Sequence, residues 1–113
     1  MNITFQATIG ANGLVNLQDA AMGAGATGIH ANQYVQWLQI QNNSAHPIRY
    51  GTTNKVSTTV PAAVAGGTAG FGILLTNGGG AGAQSTPVTY STMLSEWWIG
   101  GTAGDVIDVL CLQ

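Results

Sequence analysis

The side chains able to do acid–base, thiol or metal chemistry are few: Asp19, Glu96, Asp105, Asp108, His30, His46 and Cys111. Their spacing brings none of them together. Asp105 and Asp108 stand three apart, which on a strand sends them to opposite faces and spoils a carboxylate pair. His30 and His46 have no short ligand spacing to each other or to an acid, and one cysteine adds no second thiolate, so no metal site is expected. Each histidine reads instead as a turn or hydrogen-bonding residue. The stretch Gly23-Ala-Gly-Ala-Thr-Gly28 matches G-x-G-x-x-G letter for letter. That fingerprint needs a strand before it, a helix starting in it and an acid about twenty residues on. No acid lies between Asp19 and Glu96, and the match follows from glycine abundance. G-x-S-x-G and the phosphate-binding G-x-x-x-x-G-K-[ST] are absent. The expectation is a non-enzymatic chain with no cofactor.

Trp97-Trp98 is the most informative aromatic pair. On a strand the two rings face opposite ways, so at most one sits fully in a two-layer core. The other covers a loop, meets a partner or stacks on a sugar with Glu96 and nearby glutamines. Tryptophan is a frequent interface anchor, which favours the partner.

Composition sharpens that choice. Only 5% of residues are charged, against roughly 25% in ordinary domains. Interface cores are depleted of charge, so much of this surface is expected to be covered by copies of the chain or by a partner. Two bases, Arg49 and Lys55, cannot neutralise a run of phosphates or hold an anionic bilayer. Neither direct nucleic-acid binding nor membrane association is expected. No cationic stretch leads into an apolar run, so no signal peptide is read, and no segment approaches a membrane span. The lone Cys111 suits a chain made in a reducing cytoplasm.

The elements that position these residues are strands. Residues 33–51 organise the rest: a strand over 33–41, a turn at Asn42-Asn43-Ser44-Ala45-His46-Pro47, and a strand Ile48-Arg49-Tyr50 closed by Gly51. The expected product is a β hairpin. Its first strand is apolar on both faces, which calls for a central position or a bulge near Trp37–Leu38. Residues 2–9 alternate strictly, with Ile3, Phe5, Ala7 and Ile9 on one face. Leu14, Val15 and Leu17 begin a second strand. Residues 19–32 read as a loop with at most one helical turn at Ala20-Ala21-Met22. Lys55–Val60 is β-prone. Phe71–Leu75 reads as a buried strand with Phe71, Ile73 and Leu75 inward. Residues 62–70 and 77–84 read as small-residue loops, the latter mobile or ordered on contact. Val88–Leu94, Glu96–Ile99 and Asp105–Leu112 complete the strands, the last an interior one. Gly-Gly-Thr-Ala-Gly occurs at 66–70 and again at 100–104, as two similar loops. The fold class is all-β: one antiparallel sandwich or jelly roll over 1–113 with long Gly/Ala-rich loops, and 1–9 as a possible strand-exchanging arm.

Gln39-Ile-Gln-Asn42, Pro47-Ile-Arg-Tyr-Gly51, Gly72-Ile-Leu-Leu75 and Trp98-Ile-Gly-Gly-Thr-Ala-Gly-Asp-Val-Ile-Asp-Val-Leu110 together form a recurring layout. It resembles the small β-sandwich virion proteins encoded among tailed-bacteriophage structural genes. The likeness spans residues 33–112; the loops at 19–32 and 77–84 fall outside its pattern. The resemblance implies a capsid decoration or cement protein on the outer virion surface. Its partners would be the major capsid protein and copies of itself, as a trimer before a dimer. A tail- or fibre-associated carbohydrate-binding module is the alternative. The residues expected to meet partners are Ile3, Phe5, Trp37, Arg49, Tyr50, Trp97 and Trp98.

Overall fold

A computed structural model describes residues 2–25, 29–58, 71–78 and 82–113. The expectations for residues 59–70, including the first Gly-Gly-Thr-Ala-Gly loop, lie outside the described residues, as does the middle of the 77–84 excursion. Two four-stranded antiparallel sheets form a sandwich. Sheet A has the order β1-β10-β4-β7, built from Asn2–Thr8, Val106–Leu112, Trp37–Asn42 and Ala83–Gln84. Sheet B has the order β2-β9-β5-β6, built from Leu14–Asn16, Trp98–Gly100, Ile48–Gly51 and Ile73–Leu75. A small ribbon pairs β3, Tyr34–Val35, with β8, Thr92–Met93. The all-β sandwich read from the sequence is what forms.

Strict alternation makes sheet A two-sided. Ile3, Phe5 and Ala7 of β1, Ile107, Val109 and Cys111 of β10, and Leu38 and Ile40 of β4 are buried in the core. Burial of that side chain pushes the Cys111 thiol up to about 11. β10 lies between β1 and β4, so the interior position expected for it holds. β1 is docked in its own sheet, in register with β10 from Asn2↔Leu112 to Thr8↔Val106. Within one chain it docks as the edge strand of sheet A, with its outer edge open to strand addition. No helix among the described residues is long and apolar enough to cross a membrane.

The expected hairpin at 33–51 is instead an arch between the sheets. β4 pairs with β10 and β7, and β5 pairs with β6 and β9. The reason is Asn42, fully buried at the bend. Its Nδ2 donates to His46 O (3.0 Å) and Leu75 O (3.1 Å), and its Oδ1 accepts from Ser44 N (3.0 Å). One amide thus satisfies the backbone that a hairpin ladder would have satisfied. Leu38 and Ile40 then meet Ile48 and Tyr50 across the core rather than beside them. The anticipated bulge is present one residue early. Gln36 N donates to Leu112 O (2.7 Å) while Trp37 stands opposite the same Leu112, so two residues face one. The extra residue shifts the phase, placing Val35, Leu38 and Ile40 inward and Tyr34 outward.

Three local expectations are corrected. Leu17–Gly23 is a helix, α1, and not part of a strand and loop. Asn16 Oδ1 caps it by accepting from Gln18 N (3.0 Å) and Asp19 N (3.3 Å), and Leu17 and Ala21 anchor it to the core. Glycine ends it as expected, at Gly23. Phe71 and Ile73 are not buried: both are 59% exposed, because β6 is an edge strand with only Leu75 inward. Residues 88–99 form two short strands around a 3-10 turn, Leu94–Glu96, rather than two long ones.

Candidate functional site

The outer face of sheet A collects the alternate residues that the core does not take. Register places them in rows across the sheet. Asn2, Leu112 and Trp37 form one row; Thr4, Leu110 and Gln39 the next; Gln6, Asp108, Gln41 and Gln84 a third. Two shallow grooves run along these rows and share Leu110. One is walled by Trp37, Leu112 and Asn2, the other by Thr4, the three glutamines 39, 41 and 84, and Asp108. The face is thus aromatic and aliphatic at one end and rich in amides at the other.

The amide end is held by its own hydrogen bonds. Gln6 Nε2 donates to Asp108 Oδ1 (3.1 Å) and Asn43 Nδ2 to Asp108 Oδ2 (2.6 Å). Gln39 Nε2 donates to Ser85 O (3.1 Å), with Gln84 Oε1 at 3.4 Å. Asp108 is the sole ionisable group in these rows, and an ionised carboxylate only accepts hydrogen bonds. The face can therefore bind hydroxyl or amide donors and stack a ring.

A second polar couple joins two loops. His46 Nδ1 lies 2.8 Å from Asp105 Oδ2, linking the arch to the turn before β10. A histidine oriented by an aspartate is two-thirds of an acyl-transfer triad. The nearby Ser44 hydroxyl donates to Asn42 Oδ1 (2.6 Å) and is engaged in the arch, not with the imidazole. Among the described residues no three His, Cys, Asp or Glu side chains gather to hold a metal ion. The G-x-G-x-x-G match begins at Gly23, where α1 ends rather than starts. Its last residues lie outside those described.

The seven residues expected at partner surfaces divide. Ile3, Phe5, Tyr50 and Trp97 are buried in the core of the single chain, where a partner cannot reach them. Trp97 Nε1 donates to Thr92 Oγ1 (2.9 Å), and its ring packs 6.3 Å from that of Tyr50. Burial also raises the Tyr50 phenol above its ordinary range, against a hydrogen bond with Ser85 that lowers it. Trp37, Arg49 and Trp98 are half-buried at the surface. Trp98 lies on sheet B beside Asn16 and Gly51, and Arg49 Nη1 is tied to Gly72 O (2.8 Å). Trp97 is therefore not available as a sugar platform, and Trp37 lies half-buried on the outer face of sheet A. Among the exposed apolar residues that the sequence did not point to are Phe71, just before β6, and Ile73 and Leu74 on it. No protein-family model, no curated protein and no solved structure matches this chain.

Proposed function

We propose that the chain is a non-enzymatic virion structural protein, a capsid decoration or cement protein that lies over seams between major capsid subunits. The observation that carries this reading is a surface almost without free charge around a core that closes by itself. An ordinary domain of this length has roughly 28 charged side chains. Here there are two basic and four acidic ones. Asp105 pairs with His46, Asp108 with Gln6 and Asn43, and Arg49 with a backbone carbonyl. Asp19, Lys55 and Glu96 are the exposed ones, and Glu96 accepts a hydrogen bond from the Thr92 hydroxyl (3.2 Å). The core needs no partner to fill it, so neutrality belongs to the surface's task.

Two further features support the same reading. Phe71, just before β6, and Ile73 and Leu74 on its two faces leave exposed apolar side chains at an edge strand, the kind of edge a protein neighbour covers. The resemblance of residues 33–112 to small virion sandwiches supplies the setting. Quantitative peptide mass spectrometry on particles purified from the source tests the proposal. A copy number on the scale of the shell subunits is the expected result, and absence from particles would refute it. Ile73→Lys is expected to abolish co-sedimentation of the recombinant chain with shells while leaving the fold intact.

A further inference from the structure

We propose that the outer face of sheet A is a binding site for a neutral carbohydrate chain, with Trp37 as its stacking platform. The inference stands apart from the shell reading, since it concerns a face that the β6 edge does not share. It begins with shape. From the Trp37 row to the Gln41 row is four residues along β4, or roughly 13 Å of trough. Both grooves touch Leu110, so they lie end to end along the face, the aromatic one beside the amide one.

The chemistry then narrows the occupant. A sugar ring offers a C–H-rich face that packs on an indole and a rim of hydroxyls that both donate and accept. Each Asp108 oxygen already holds one donor and has room for another. Gln39 and Asp108 are fixed before a ligand arrives, which lowers the ordering cost of binding. No lysine or arginine stands in the three rows, so phosphate, sulfate and uronic acid groups would meet Asp108 without compensation. The same absence disfavours nucleotides, whose bases could stack but whose phosphates need cations.

Protein occupants fit less well. β10 and β4 are paired on both edges, so the floor offers a peptide no backbone groups for strand addition. A second copy seated here would bury too little. Three strands of about seven residues present a face of roughly 320 Å². Stable interfaces take about 800 Å² from each partner.

The test titrates the full chain with four neutral hexasaccharides, built from glucose, mannose, galactose or N-acetylglucosamine. Tryptophan fluorescence and calorimetry read the binding. Saturable binding of at least one is expected, weakened roughly tenfold or more in Trp37→Ala. Asp108→Asn and Gln39→Ala should each weaken it several-fold, and Trp98→Phe should leave it unchanged. Thermal melts of the variants separate lost binding from lost folding, and Gln39→Ala carries the test if Trp37→Ala is unstable. Failure of all four sugars to bind would overturn the proposal. So would binding retained in both Trp37→Ala and Gln39→Ala, or a uronic-acid hexasaccharide binding more tightly than every neutral one.

Discussion

The two sheets are made of similar short antiparallel strands, yet their outer faces are opposites. On sheet A the outward positions carry large side chains, Trp37, Gln39, Gln41, Leu110 and Leu112, and no described segment crosses them. On sheet B, Gly51, Gly72 and Gly100 leave a bare patch beside Arg49 and Trp98, and the chain itself fills that space. Val56 drops into that space and is only 3% exposed, in contact distance of what would be the side chains of all three glycines. Ser57 runs so close over Gly100 that any side chain there would overlap its carbonyl. Ser57 N also donates to Phe71 O (2.9 Å), pinning the segment beside β6. Glycine at outward strand positions marks a face the chain covers itself. Long polar and aromatic side chains mark a face left for something else.

That contrast can be broken by substitution. Gly100→Ala is expected to cost about 3 kcal/mol, the upper range for overpacking, because the obstacle is backbone rather than a flexible side chain. Urea unfolding measures it, and a loss below about 0.5 kcal/mol would mean that the 52–58 segment is not seated on sheet B. Val56→Ala removes two buried carbons outside the main core and should cost about 2 kcal/mol by the same measurement. Gln39→Ala on sheet A should cost no more than about 1 kcal/mol, the loss of one part-buried hydrogen bond to Ser85 O. Comparable losses on the two faces would erase the distinction.

The smallest effect concerns the shared core. Burial holds the Cys111 thiol at about 11, above the ordinary thiol range. A raised folded pKa stabilises the fold fully below the unfolded value and loses that contribution as pH climbs through the folded one. Stability should therefore be flat with respect to this group up to about pH 8 and decline between about 9 and 11. Cys111→Ala should make the alkaline slope shallower, leaving the part that the raised Tyr50 phenol contributes in the same direction. An unchanged slope would show that the thiol titrates without coupling to folding.

Much of the fold was legible because strands announce themselves by alternation. The pattern Ile3, Phe5, Ala7, Ile9 is strict, and all four residues are buried. Asp105–Leu112 was readable as an interior strand from its two-sided apolar character. Phe71–Leu75 misled because its alternation is that of a buried strand, while its position at the edge of sheet B exposes Phe71 and Ile73. Periodicity reports which residues share a face, not how much of that face a neighbour covers. The helix was hidden by its length, seven residues, too short for a periodic signal. Its Asn16 cap was the one local cue.

The site was half-legible for a related reason. Trp37-x-Gln39-x-Gln41, Asp108-x-Leu110-x-Leu112 and Asn2-x-Thr4-x-Gln6 are each visible as the outward phase of one strand. The conspicuous pair in the sequence is Trp97-Trp98, by its adjacency. The structure places Trp97 in the core, its indole N–H satisfied by Thr92.

By itself the sequence determined the class, the alternation of each main strand and the scarcity of charge, because these depend on residue type and local spacing. Only the tertiary structure decided that residues 33–51 arch between sheets, since the choice between ladder and arch depends on where the amide of Asn42 finds its partners. It alone brought Trp37, Leu112 and Asn2 into one row, because strand order and register are long-range pairings that no local stretch encodes.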